Sequence, residues 1–199
     1  PMAFDEGDWG VFQQRLIEGT RAAIREFAAR HPEETVCAFA YDCDPSAGSV
    51  LTSFNTARAE AEFVRKTHER NVRHRREVLS KPAAWSRAFY QIKANRVLPF
   101  CDRTGDFAYQ DFSEIRFPEW RELFEHPEYP EPSGGQDDYL HARAAAIFVR
   151  ALDLLVEDGT FGTLRLASPT LLGVAFHDEQ HCVVRMLRLP GDAETTTAP

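Results

Sequence analysis

Apolar residues recur at three- and four-residue steps between residues 139 and 158. Leu140, Ala144, Ile147, Phe148, Ala151, Leu152 and Leu155 fall on one broad helical face. Arg143, Arg150, Asp153 and Glu157 supply the only polar stripe, so this helix is expected under or between other elements. Gly159 follows the last turn, where a residue free to take positive φ can end a helix. A first helix is predicted from Trp9 to Arg30, with Trp9, Phe12, Leu16, Ala23, Ile24 and Phe27 on one face and Asp8 as N-cap. Gly19 inside it costs about 1 kcal/mol against alanine, which predicts that another element comes close there. A second helix opens at Asn55-Thr56, either of which can cap it, and runs to about Leu79. It is strongly polar, anchored by Phe63, Val64, Val72 and Val78, and is expected at the periphery of the core.

Strand patterning has a period of two. From Thr35 to Asp42, Val36, Ala38 and Ala40 alternate with Cys37, Phe39 and Tyr41, and neither side is charged, which predicts a central strand covered on both faces. Residues 44 to 48 have turn chemistry, and Ser49 to Phe54 completes a hairpin. Further strands are expected at Leu164–Leu166, Thr170–Phe176 and His181–Leu189, with Asp178-Glu179-Gln180 as the last turn. The segment 83–126 is aromatic and ambiguous. Trp85, Phe89, Tyr90 and Ile92 fit a helix or a strand, Phe100, Phe107, Tyr109 and Phe112 an edge strand or irregular structure, and Pro118 a short helix. Hairpins outnumber βαβ crossovers, so the fold class expected is α+β: a mainly antiparallel sheet with helices packed against it. One domain is expected over residues 4–190, with a disordered tail at 191–199.

The chain has 199 residues, 43% hydrophobic and 12% aromatic, the balance of a globular protein. No apolar run approaches the ~20 residues of a membrane span, and no secretory leader is expected. The four cysteines, at 37, 43, 101 and 182, form no Cys-x-x-Cys pair, which predicts reduced thiols and a cytoplasmic setting. The net charge of −8 is uneven. Residues 102–138 hold eleven acidic and three basic side chains, whereas residues 62–81 hold seven Lys/Arg and three Glu. A chain this acidic does not bind nucleic acid through its overall field. The acidic segment can steer a basic partner, or it can pair with the basic helix of its own chain.

Chemistry-bearing motifs are sparse. His177 and His181 stand four apart, but their flanks alternate as strands, so they bracket a hairpin turn and no metal site is expected. His68 and His74 lie about 240° apart around a helix and do not converge. There is no Gly-x-Ser-x-Gly elbow and no phosphate-cradling glycine loop. Trp120, between Glu119 and Glu122, suits either a core anchor or an interface aromatic.

Three pieces of the chain, in order, resemble one family. They are the hairpin strand ending Phe54-Asn55-Thr56, the helix end from Ala151 to Gly162, and the closing strand that ends Leu187-Arg188-Leu189-Pro190. Together they look like the bacterial domain-of-unknown-function family numbered 4303, single domains of about this size. The family's Leu-Asn-Pro ending is Leu189-Pro190 here, and the glutamate that usually follows Asn-Thr is absent. The resemblance implies no catalytic residues. By analogy of protein type, small acidic α+β proteins without active sites are frequent among immunity proteins of bacterial competition systems. Two expectations follow from the sequence. One is a non-enzymatic protein-binding domain of immunity (antitoxin-like) type, without cofactor, that meets a basic toxin through Asp111, Glu114, Glu119, Trp120, Glu122, Glu125 and Glu128. The alternative is an enzyme or small-ligand-binding domain whose site assembles from residues distant in sequence.

Overall fold

A computed structural model of the chain describes residues 6–44, 47–80, 101, 103–119, 136–176 and 182–188. Among them three helices, α1 (Glu6–Arg30), α2 (Ala57–Leu79) and α3 (Gln136–Glu157), accompany five strands. The strands are β1 (Val36–Asp44), β2 (Ser49–Thr56), β3 (Tyr109–Arg116), β4 (Leu166–Phe176) and β5 (Cys182–Leu187). They form one sheet in the order β3-β2-β1-β4-β5. Every neighbouring pair is antiparallel except β1 with β4, which is parallel. The fold is α+β, and β1 lies at its centre. No helix among the described residues is long and apolar enough to cross a membrane.

The apolar stripes of α1 and α3 explain the larger core. Phe12, Leu16, Ile24 and Phe27 of α1 meet Phe148, Ala151, Leu152 and Leu155 of α3, and both helices cover Phe39, Tyr41, Phe54 and Leu172 of the sheet. Rings interlock through this layer: Phe27 stacks on Phe54 at 4.2 Å, and Phe12 lies 4.3 Å from Phe117. Tyr41 is wholly buried, so its hydroxyl needs a partner. It has Thr20 at 2.7 Å, and because Thr20 gives its single hydrogen to the Leu16 carbonyl at 2.7 Å, Tyr41 is the donor. Gly19 lies where expected of a close approach: a Cβ built there would fall 2.8 Å from Ile115 Cδ1 and Cγ1 on β3. Gly159 ends the α3 region at φ 76°, in the left-handed conformation.

The opposite face of the sheet is covered by α2 and the stretch 101–108. Ala38, Ala40, Cys101 and Phe107 form a second, smaller cluster, with Phe63 of α2 and Leu171 against it. Thus α2 roofs this face; Thr67 is buried, and Val64 and Val72 are half-buried. The cap holds as well, since Thr56 Oγ1 accepts the Ala59 N–H at 3.3 Å.

Some expectations are corrected. Asp8 is not the N-cap of α1, because the helix begins at Glu6 and Asp8 lies in its first turn. Val36 does not share a face with Ala38 and Ala40: the register slips between Val36 and Ala38, and Val36 joins Phe39 and Tyr41 in the larger core. An irregularity of this kind inserts a residue and reverses the alternation beyond it. Of the strand expected at Leu164–Leu166 only Leu166 is in a strand, and it runs on through Thr170–Phe176 as the single strand β4; Leu164 instead ends the turn at Thr160–Thr163. A cis Ser168-Pro169 bond and a register shift against β1 lie within β4. The ambiguous aromatic middle contributes edge strand β3. The expectations for residues 83–100, the turn at 178–180, His177, His181 and the tail lie outside the described residues.

Candidate functional site

The acidic positions singled out by charge divide into two groups. Trp120, Glu122, Glu125 and Glu128 lie outside the described residues. Asp111 and Glu114 are exposed on β3, an edge of the sheet among the described strands, and Glu119 follows two residues past Phe117. Asp111 has a left-handed backbone, φ 49°, unusual for a residue with a side chain. Its N–H donates to Ser53 Oγ at 3.1 Å, beside a register break between Thr52 and Phe54. The edge is therefore kinked at its acidic residue. Kinks and charges of this kind keep a sheet edge from accepting an added strand, so contacts here fall to side chains.

Glu114 pairs with Arg116 at 2.9 Å, and Glu119 with Arg15 of α1 at 2.6 Å. Within α2 the pairs are local, Arg65–Glu69 at 2.8 Å and Lys66–Glu62 at 2.7 Å. Among the described residues the acidic segment does not pair with the basic helix.

A polar seam that sequence patterning missed lies beneath α2. The Glu60 carboxylate, on the first turns of α2, accepts Asn55 Nδ2 at 2.5 Å through one oxygen and the Cys101 N–H at 2.5 Å through the other. Asn55 Oδ1 in turn accepts the Ala108 N–H at 3.2 Å. Thr104 Oγ1 donates to Asp42 Oδ2 on β1 at 2.5 Å. Three acceptors from β1, β2 and α2 thus strap the stretch 101–108 to the sheet. Asp42 Oδ1 is buried with no hydrogen-bond partner. The signal that could have revealed the seam was Ser53 and Asn55, polar residues at alternate positions of an otherwise central strand, since buried polar groups seek partners.

Electrostatics give the seam little reactivity. Burial raises Glu60, against the lowering pull of its two hydrogen bonds. Burial, with the neighbouring Glu60 carboxylate second, pushes the Cys37 thiol up to about 12. Burial likewise raises Cys43. A thiol held protonated is a poor nucleophile, and both Glu60 oxygens are engaged. The seam acts as a clasp that ties Cys101, Thr104 and Ala108 to α2 and the sheet. No group of three or more His, Cys, Asp or Glu suited to a metal occurs among the described residues. Comparison with family models, with curated proteins and with solved structures finds no match.

Proposed function

We propose that this chain is a non-enzymatic, protein-binding domain of the immunity type, and that its acidic sheet edge meets a basic toxin. The observation that carries the reading is the exposure of Asp111 and Glu114 on a kinked edge strand, with Glu119 beside it. The pairs Glu114–Arg116 and Glu119–Arg15 do not argue against it. Exposed ion pairs contribute only about 0–1 kcal/mol, so a partner's cations can replace the intramolecular arginines at small cost. Such charges act chiefly on encounter rate. The resemblance of the cap, the helix stop and the closing strand to family 4303 agrees in protein type.

The test mixes the purified chain with the product of the adjacent reading frame and follows association as salt rises to physiological strength, where the Debye length is about 8 Å. A complex is expected whose association slows steeply with salt and slows again in the Glu114→Lys/Glu119→Lys variant, with melting nearly unchanged. Co-expression should also relieve any toxicity of that product. Absence of a complex, or association indifferent to both salt and charge reversal, rejects the reading.

A further inference from the structure

The last turns of α2 carry Arg70, Arg73, Arg75 and Arg76, all exposed, with no ion pair among the described residues. The acidic residues nearer the start of this helix, Glu62 and Glu69, are occupied by Lys66 and Arg65. Glu77 alone offsets the group from within the helix's final turn. Arg70, Arg73 and Arg76 recur every three residues, so they trace one slowly turning stripe along about 9 Å of helix axis. One strand of a nucleic-acid duplex places roughly two to three phosphates in that length.

From this stripe we infer that α2 binds the phosphate backbone of a nucleic-acid duplex, without regard to sequence. Guanidinium groups suit phosphate oxygens because they donate two parallel hydrogen bonds and stay charged. The stripe holds no aromatic side chain on which unpaired bases could stack, so a duplex is favoured over a single strand. It also lacks the apolar anchor that a protein interface buries at its centre. A lipid surface would need an apolar face to sink below the headgroups, and Phe63, Val64 and Val72 are each only half-exposed, Phe63 packing on the small cluster of Ala38, Ala40, Cys101 and Phe107. The net charge of −8 opposes the contact at long range. The patch therefore acts at short range and at low salt, independently of the acidic edge.

The test titrates the full chain against a short labelled DNA duplex by fluorescence anisotropy. Three to four neutralised phosphates predict a slope of about −2.7 to −3.6 in log affinity against log salt, a loss of roughly 40- to 150-fold between about 50 and 200 mM. The Arg73→Gln/Arg76→Gln variant should flatten that slope by about 2 while its melting temperature stays that of the parent. No binding at low salt overturns the inference, as does a slope that the variant leaves unchanged. Equal or tighter binding to phosphatidylserine vesicles or to polyglutamate overturns it too, in favour of a membrane or an acidic protein.

Discussion

Replacing Gly19 with alanine sets two opposed effects against each other, and the structure decides between them. Alanine in a helix interior is favoured over glycine by about 1 kcal/mol, so on propensity alone the variant would be more stable. The new methyl would, however, fall 2.8 Å from both Cδ1 and Cγ1 of Ile115 and 3.1 Å from its Cγ2. Ile115 is buried at 6% exposure and β-branched, so it has little room to rotate away. Overfilling a packed core costs about 1–3 kcal/mol, and the net expectation is a loss of about 1 kcal/mol. For a chain of this size that lowers Tm by roughly 2–4 °C. A thermal or urea melt reads it directly. The double variant supplies the control: with Ile115→Ala the obstructing atoms are gone, and Gly19→Ala should then stabilise by up to about 1 kcal/mol. A stabilising Gly19→Ala in the parent chain would refute the close approach of α1 and β3.

Three further outcomes are expected. Leu152→Ala, at a wholly buried position shared by α1, α3 and the sheet, should cost about 2–5 kcal/mol by chemical denaturation; a loss under about 0.5 kcal/mol would mean that α3 presents a different face. The Thr160 hydroxyl, then Arg21, holds the Asp158 carboxyl down at about 2, so its stabilisation is present above the ordinary aspartate range and is lost as pH falls through about 2. Asp158→Asn should accordingly melt lower than the parent at neutral pH, with the gap closing in strong acid. Glu60 shifts the other way: its raised value means that stability drops as pH climbs from the ordinary glutamate value through the raised one, and Glu60→Gln should remove that segment of the Tm–pH curve.

The parts of the fold legible in the sequence are those set by local chemistry. The stripes of α1 and α3, the Thr56 cap, the Gly159 stop and the β1–β2 hairpin each depend on residues within a few positions of one another. What escaped depends on partners far along the chain. The slip between Val36 and Ala38 follows from pairing with both β2 and β4, and patterning within β1 alone carries no trace of it. That Leu166 belongs to the same strand as Thr170–Phe176 shows only in the pairing with β1, where Val36 meets Leu166 and Ala38 meets Leu171. At the site, the run of acidic residues was visible as charge, but the kink at Asp111 was not, because it depends on Ser53 across the sheet. The clasp of Glu60, Asn55 and Asp42 was hidden for the same reason: its donors come from residues 101–108, about 40–60 positions away.

The parallel pairing of β1 with β4 also bears on how the chain is made. Ala40 sits opposite Gly173, so the central strand waits for a neighbour synthesised 133 residues later. At about 5–20 residues per second that delay is roughly 7–27 s. For most of it the nascent hairpin of β1 and β2 bears Phe39, Tyr41 and Phe54 with neither α3 nor β4 to cover them. Pairings this distant close slowly and leave apolar surface open in the meantime. The central strand is therefore made before the neighbour that encloses it, and truncation ahead of β4 yields a fragment with an uncovered apolar face instead of a smaller working domain.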